Sequence, residues 1–421
     1  MIKVNSLANA KAFIILGIMF VLMVTSIAND SATMDELAHI PASFGYVTEF
    51  DYRLNPEHPP LLKVLSGIFG ELGARPYFPT STAAWRDYVN GQWDQGRIFL
   101  YESGNNADRI IFWSRIPTIL LTLLFGWLVF RETKERFGKT AALIALTLFA
   151  FSPTILAHSR YVTTDIAAAF GFFIGIVAFV RFLESPTKKN LLIAGFAFGI
   201  AQLLKFSLVL LIPIYGLLLI AWIFAAPNLH FRERVWVFAR RAASSITIGL
   251  IGLGIIWLFY IPFVWNYPQA RQYADAKFNL SSYGFRPAVD INLQLIENTY
   301  TRPIGQYVLG ILMVNQRAAG GNTTYYLGEV SAAGSRSYFP LLYLLKEPIA
   351  LHILTAVAAF FALKKIWTSA RGSRMKEMLR RARFWIWQHF FEFSALLFLA
   401  FYWGVSIQSP LNIGVRHVLP T

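Results

Sequence analysis

The chemistry of this chain is concentrated in one polar segment that follows a first apolar stretch. The segment spans residues 34–63 and reads MDELAHIPASFGYVTEFDYRLNPEHPPLLK. It combines carboxylates, imidazoles and an amine, the groups that proton transfer and anion binding require. Because the preceding apolar stretch is long enough to cross a bilayer, the segment predicts a reaction centre held at a membrane surface.

The adjacent carboxylates Asp35 and Glu36 have two interpretations. A half-buried acid has a raised pKa and can act as a general base. Acids also favour the N-terminus of an ordinary interfacial helix, where they complement the helix dipole. The spacing leaves both interpretations open, and it does not decide which of the two acids would be the base.

The element His58-Pro59-Pro60-Leu61-Leu62-Lys63 predicts a rigid turn, since the two prolines restrict the backbone. An imidazole and an amine held on such a turn suit an anionic phosphate. The alternative is an interfacial turn whose lysine reaches up to the polar region.

Two further charged residues interrupt apolar stretches. Asp165 lies in HSRYVTTDIAAAFGFF at the start of one, where an acid is costly and therefore a functional candidate, although an ordinary helix cap is the alternative. Lys205 has no acid near it in the sequence, so we expect it to bind an anion such as phosphate. Arg416 and His417, close to the end of the chain, complete the candidate phosphate-binding set.

No metal or nucleotide signature is present in the sequence. The chain has no cysteine and lacks HExxH, EF-hand and Walker spacings, which argues against a nucleotide-driven transporter. A divalent cation stays open as a cofactor, with Glu57 and His58 as its candidate ligands, but nothing in the spacing demands one.

The composition predicts an all-α polytopic membrane protein. Of the 421 residues 56% are hydrophobic and only 14% are charged, about half the charged fraction of a soluble domain. The net charge of +15 does not indicate a nucleic-acid partner, because many of the basic residues lie in short clusters between apolar stretches. Such clusters orient helices in a membrane, with the clusters on the cytoplasmic side.

About nine membrane helices are expected from the apolar stretches. They are placed at 11–29, 111–130, 140–157, 164–183, 191–204, 206–225, 242–264, 338–363 and 385–407. The basic clusters then fall in alternate loops, namely 131–139, 184–190, 227–241 and 364–383. This alternation predicts that loops 30–110, 158–163 and 265–337, and the end from about 408, face the extracytoplasmic side.

Three regions follow from this topology. Residues 1–265 form a transmembrane catalytic core that includes loop 30–110 with its interfacial helices. Residues 266–337 form an extracytoplasmic cap, and residues 338–421 form C-terminal transmembrane helices. Because the chain ends in RHVLPT, a pattern that usually leads into another helix, we expect later helices to be missing from it.

Taken together, these motifs resemble the protein O-mannosyltransferase family. The wider group is the polyprenyl-phosphate-dependent glycosyltransferases of the C superfamily, which include the lipid A aminoarabinose transferases. The resemblance rests on the Asp-Glu pair after the first helix, on DYRLNPEHPPLLK, on SPTILAHSRYVTTD and on NIGVRH near the end. The chain lacks the large extracytoplasmic insert of the eukaryotic members, so a protein acceptor is not assumed.

The resemblance implies an inverting transfer of a sugar from a polyprenyl-phosphate donor to a protein, lipid or glycan acceptor. Asp35 or Glu36 would act as the base, and Asp165 would orient the acceptor or hold a cation. His58, Lys63, Lys205 and Arg416 would stabilise the leaving phosphate. The reaction would take place at the periplasmic face of a bacterial cytoplasmic membrane, among membrane lipids.

A lipid-linked-sugar flippase or a transporter without transferase activity is the rival interpretation. A transporter predicts ionisable residues near the bilayer midplane and broken helices in related halves. Here the candidate residues lie at one face and no inverted repeat is evident, which favours surface chemistry.

Overall fold

A computed structural model describes residues 2–227, 229–371 and 374–421. The described residues fold almost entirely into helices. The first part contains α1 (Ile2–Ile27), α2 (Met34–Thr48), α3 (Leu61–Ala74), α4 (Ala83–Arg86), α5 (Gln92–Arg97), α6 (Ala107–Ala150), α7 (Pro153–His158), α8 (Asp165–Glu184) and α9 (Lys188–Gln202). The second contains α10 (Leu211–Ala225), α11 (Phe231–Tyr260), α12 (Gln269–Asn279), α13 (Arg286–Glu297), α14 (Arg302–Gly320), α15 (Tyr338–Lys346), α16 (Ile349–Ala370), α17 (Met375–Gln388) and α18 (Phe390–Gln408).

Short elements complete the chain. A π-helical turn covers Ile98–Glu102, and 3₁₀ turns cover Phe206–Leu210, Pro262–Val264 and Val415–Val418. In the described part of the chain the strands are limited to one antiparallel hairpin, β1 (Thr324–Tyr326) and β2 (Glu329–Ser331), with Tyr325 opposite Val330.

The all-α polytopic class predicted from composition is confirmed. Within the described ranges, seven helices are long and apolar enough to cross a membrane: α1, α6, α8, the segment Phe206–Ala225, α11, α16 and α18. This count is lower than the nine predicted, because α6 counts once and the 15-residue α9 is too short to be included.

The helix α6 is in fact two antiparallel helices joined at Gly138. Gly138 has φ 85° and ψ 175°, a backbone conformation essentially restricted to glycine. The rings of Phe125 and Phe149 lie 5.0 Å apart, whereas 24 residues of continuous helix would separate them by about 36 Å. With α6 divided at this turn and α9 included, each of the nine predicted segments contains a long helix. The segment 338–363 is divided at Glu347 and Pro348 into α15 and α16, because proline cannot continue a helix, and only α16 is long enough to cross a membrane.

The α8 helix lies at the centre of the membrane core. Its sequence, DIAAAFGFFIGIVAFVRFLE, is apolar on all sides, which is the pattern of a helix surrounded by other helices. It packs against α6, α9, α10 and α18. Burial on all sides holds the N-terminal residue Asp165 at a defined place.

Loop 30–110 contains helices, as predicted, and they pack against one another and against α6. The run Glu36–Tyr46 of α2 is largely buried, and α2 packs against α3 and α5. Gly67 allows the close approach of α3, because a Cβ atom there would lie 2.5 Å from the carbonyl oxygen of Ser43. This packing fixes the position of α2 and of the side chains in its first turn.

The cap segment, residues 266–337, is largely helical. Its helices α12, α13 and α14 share a small core of their own that includes Ala276, Val289, Ile296 and Leu309. The α14 helix also packs against α11, so the cap is joined to the membrane core next to the polar segment.

Candidate active site

The carboxylate of Asp35 lies at the first turn of α2 and forms an ion pair with Arg416. The α2 helix begins directly after Thr33, so Asp35 is its second residue. Asp35 lies outside the buried face of α2, which includes Glu36 and His39. The Asp35 side chain is 34% exposed, so its carboxylate is accessible from outside the protein. Asp35 is therefore the accessible one of the two adjacent acids, and its role as the base stays a prediction.

Glu36 has different surroundings and does not reach the same space. Its carboxylate is fully buried and accepts two hydrogen bonds from Arg115, at 2.8 and 2.7 Å. It also accepts hydrogen bonds from the backbone N–H groups of Thr33 and Val162. These bonds join α2, α6 and the segment before α8, so the structure gives Glu36 a structural role.

Asp165 and Lys205 form a buried ion pair with an N–O distance of 2.7 Å. The sequence analysis expected Lys205 to require an anionic ligand, because no acid lies near it in the chain. The structure supplies an anionic partner from α8, forty residues earlier, so Lys205 is already paired within the protein, and its binding of a phosphate stays a prediction. Arg416 lies 3.9 Å from the other oxygen of Asp165 and thereby connects this pair to Asp35.

His58 lies on the same surface, where its Nδ1 is 3.5 Å from the hydroxyl of Thr164 and its ring contacts His39 at a centroid distance of 4.7 Å. Burial, together with the neighbouring His39 and Lys63, holds the pKa of His58 well below its usual value. His58 is therefore neutral at physiological pH and can bind a phosphate only through a hydrogen bond.

Lys63 is not brought to this surface, which corrects the prediction that it and His58 act together. Its side chain is fully buried, and its amine donates to the hydroxyl of Tyr46 at 2.7 Å and to two oxygens of Asn55 at 2.9 and 3.0 Å. Burial lowers the pKa of Lys63 well below its usual value. As the third residue of α3, Lys63 faces α2 and connects the two helices.

These residues surround a cavity of about 120 Å³. Its wall is formed by Asp35, His39, Glu57, His58, Thr163, Thr164, Asp165, Lys205, Phe206, Ser207, Val314, Arg317, Leu411, Ile413, Arg416 and His417. Seven of the nine candidates from the sequence analysis are therefore brought together, and Glu36 and Lys63 are not.

The charges of the wall balance within the described residues. Three carboxylates, from Asp35, Glu57 and Asp165, face three cations, from Lys205, Arg317 and Arg416. Glu57 pairs with Arg317 of the cap at 3.1 Å. Each carboxylate thus has a cationic partner, and an entering anion has to compete for those cations.

The histidines of the wall are neutral. Burial lowers the pKa of His39 to about 3 and that of His417 to about 4. A neutral imidazole offers one hydrogen-bond donor and one acceptor. His417 also stacks on Phe339, with the ring centroids 5.3 Å apart.

Five polar wall residues were not among the candidates of the sequence analysis: His39, Thr163, Thr164, Ser207 and Arg317. His39 had a usable signal, since it lies four residues after Asp35 and so shares a face of α2 with it. Arg317 had none, because it lies on a cap helix far away in the chain. Among the described residues no group of three or more His, Asp or Glu side chains is arranged to hold a metal ion, and Glu57 is ion-paired instead.

Comparison with protein families supports the class suggested by the motifs. Residues 107–251 match the family described as dolichyl-phosphate-mannose-protein mannosyltransferase. This third of the chain runs from α6 into α11 and includes Asp165 and Lys205. The match confirms the resemblance to the mannosyltransferase-like glycosyltransferases. It supports the enzyme class, a glycosyltransferase, without specifying the sugar. A comparison with curated proteins found no match to the chain.

Proposed function

We propose that this protein is an inverting glycosyltransferase that moves a sugar from a polyprenyl-phosphate donor to an acceptor hydroxyl or amine. The reaction takes place at the extracytoplasmic face of a bacterial cytoplasmic membrane. The acceptor is a lipid, a glycan or a protein. The family match supports the class, and the remaining details rest on the cavity.

One observation carries the proposal: a continuous row of alternating charges, Asp35–Arg416–Asp165–Lys205, along a single cavity wall. The row lies at the N-terminal end of the central helix α8. A half-exposed carboxylate beside fixed cations is the combination that phosphate departure and proton removal require.

In the proposed reaction the donor phosphate takes over Arg416 from Asp35. Asp35, freed from its partner, then accepts the proton of the acceptor O–H or N–H group. The acceptor atom attacks the anomeric carbon while the bond from that carbon to the phosphate oxygen breaks, and the electron pair leaves with the polyprenyl phosphate. A single displacement of this kind inverts the configuration at the anomeric carbon.

Lys205, Arg317 and Arg416 stabilise the negative charge that grows on the departing phosphate. Asp165 holds Lys205 and Arg416 in position through its two oxygens. If a divalent cation takes part, Glu57 and His58 are the wall residues able to bind it, after Glu57 releases Arg317.

The test is in vitro transfer from synthetic polyprenyl-phosphate sugars, measured as release of polyprenyl phosphate. We expect Asp35→Asn to abolish release with unchanged expression and folding, whereas Asp290→Asn, an exposed acid on α13, leaves it unchanged. A parallel reaction with a chelator tests the cation.

Normal turnover by Asp35→Asn would remove Asp35 as the base. Absence of release from every donor, together with flipping of the same lipids in vesicles, would replace the transferase by the flippase.

A further inference from the structure

A basic pocket of about 240 Å³ lies at the opposite end of α8 from Asp165. Its wall is formed by the last turn of α8, the link to α9, the first turn of α9 and one side of α11. The residues that matter for its chemistry are Phe182, Lys188, Trp236, Arg240 and Arg241.

The charge of the basic pocket is unbalanced. Lys188, Arg240 and Arg241 line it, and among the described residues its wall contains no carboxylate. The side chains of these three cations form no ion pair and donate no hydrogen bond to any other described residue. In the candidate active-site cavity, by contrast, three carboxylates face three cations. Three cations without an acid attract an anion from outside the protein.

Neighbouring basic residues at this end of the molecule have carboxylate partners. Arg181 pairs with Glu132 at 2.8 Å, and Arg136 pairs with Glu184 at 3.3 Å. Glu184 is the acid nearest to Lys188 in the chain, so its pairing with Arg136 leaves Lys188 available to a ligand.

Aromatic rings hold the two arginines of the pocket in place. The guanidinium carbon of Arg241 lies 5.6 Å from the ring centre of the buried Phe182 and 5.5 Å from that of Trp222. The guanidinium carbon of Arg240 lies 5.5 Å from the ring centre of Trp236. A cation–π contact positions a guanidinium without neutralising it. The N–H groups of both arginines are therefore available to phosphate oxygens, which arginine binds in a bidentate manner.

The basic pocket lies where the surface of α11 changes from basic to apolar. The α11 helix is long and apolar enough to cross a membrane. Beyond Arg240 and Arg241, the side chains of Ile246 and Leu250 are 65% and 62% exposed, and their spacing places them on one face of the helix. Trp236 is 62% exposed, as aromatic residues at the level of the lipid headgroups are. An anion in the pocket can therefore be attached to a lipid whose chains lie beside α11.

We infer that the basic pocket binds the phosphate headgroup of an anionic phospholipid, held by Lys188, Arg240 and Arg241. An acyl chain of this lipid lies along Ile246 and Leu250. Basic pockets between membrane helices are known to receive such headgroups. The lipid is a bound component of the folded protein and takes no part in sugar transfer, so the inference does not depend on the proposed transferase function.

The test measures the unfolding temperature of the delipidated full-length protein in detergent while phosphatidylglycerol is titrated. Phosphatidylcholine and inorganic phosphate are titrated in parallel, because they separate the anionic lipid from a neutral lipid and from a soluble anion. The variant Lys188→Gln/Arg240→Gln removes two exposed cations of the pocket. The matched control, Lys364→Gln/Lys365→Gln, removes two exposed cations of α16 and lowers the net charge equally.

We expect phosphatidylglycerol to raise the unfolding temperature of the wild type, whereas phosphatidylcholine and inorganic phosphate at the same concentration leave it unchanged. The pocket variant weakens the apparent affinity for phosphatidylglycerol about thirtyfold, and the control variant weakens it less than about threefold. The single variants Lys188→Gln and Arg240→Gln weaken it about fivefold each, and they keep the test independent of the folding of the double variant.

Three results would overturn the inference. One is a wild-type protein that phosphatidylglycerol stabilises no more than phosphatidylcholine does. Another is an equal loss of affinity in the two double variants, since diffuse attraction to a basic surface produces that result. The third is full stabilisation by inorganic phosphate, which would replace the lipid by a soluble anion.

Discussion

At the scale of single residues, neighbouring acids have opposite roles. Asp35 is half-exposed and paired with Arg416 at the cavity, whereas Glu36 is fully buried between Arg115 and two backbone amides. The difference arises because successive residues of a helix point about 100° apart. Removing one partner of a buried ion pair strongly destabilises the folded protein, because the other charge stays buried without compensation. Removing one partner of a solvent-accessible pair such as Asp35–Arg416 costs much less.

We therefore expect Glu36→Gln to lower the free energy of unfolding by about 3 kcal/mol, because Arg115 loses its bidentate partner. The fraction of Glu36→Gln protein that stays folded retains transferase activity. Thermal unfolding in detergent, with activity normalised to folded protein, distinguishes this variant from Asp35→Asn. A stable but inactive Glu36→Gln protein would contradict the structural role.

The buried histidines predict how stability depends on pH. Burial, followed by the charge of Lys63, lowers the pKa of His39 to about 3, while Asp35 and Asp165 act in the opposite direction. The unfolded chain, with a histidine pKa near 6.5, binds protons that the folded protein does not. Stability is therefore complete above about pH 6.5 and falls as the pH drops from there toward 3, by at most about 1.4 kcal/mol per pH unit for each such group.

The check is the unfolding temperature of the purified protein between pH 7.5 and pH 5, compared with that of His39→Asn. We expect a shallower pH dependence in the variant. Identical slopes in the two proteins would show that His39 is protonated in the folded state.

At the scale of elements, the turn at Gly138 determines whether α6 crosses the membrane core once or returns. Gly138 has a positive φ of 85°, and no atom lies within 4 Å of the position that a Cβ would occupy. The cost of a side chain there is therefore backbone strain and not a clash.

We expect Gly138→Ala to lower the free energy of unfolding by about 1–3 kcal/mol. The matched control is Gly216→Ala in the middle of α10, where the space is equally open and the backbone is helical. This control is neutral or slightly stabilising, by up to about 1 kcal/mol. Equal unfolding temperatures for the two variants would contradict the turn.

At the scale of the whole molecule, polar side chains form two layers at opposite ends of α8. The cavity residues gather at Asp165, where the helix begins, and ion pairs of Arg181 with Glu132 and Glu135 surround its last turn. Arg181 follows Asp165 by 16 residues, which separates the two layers by about 24 Å along the helix, close to the thickness of the hydrocarbon core of about 30 Å. This spacing supports a protein that crosses the bilayer with its cavity at one surface.

The absence of native cysteine makes the orientation directly testable. We expect Tyr300→Cys, in the exposed link between α13 and α14, to react with a membrane-impermeant maleimide in intact cells. Lys188→Cys, at the start of α9 on the other surface, is expected to react only after permeabilisation. The reverse labelling pattern would put the cavity on the cytoplasmic side.

The sequence by itself determined the features that depend on local composition. Apolar stretches of membrane length defined the nine predicted segments. The DE motif, with Asp165, Lys205 and Arg416, identified most of the charged cavity wall. These features are predictable because length, hydrophobicity and charge clusters act over neighbouring residues.

Only the tertiary structure decided which charges meet. Lys205 forms an ion pair with Asp165, and Glu36 forms a buried ion pair with Arg115 outside the cavity. Lys63 donates a hydrogen bond to the hydroxyl of Tyr46. These pairings join residues 17 to 79 positions apart in the chain. Helix packing sets such contacts, and no local pattern of residue types contains them. For the same reason the place of Arg317 in the cavity wall emerged only from the folded protein.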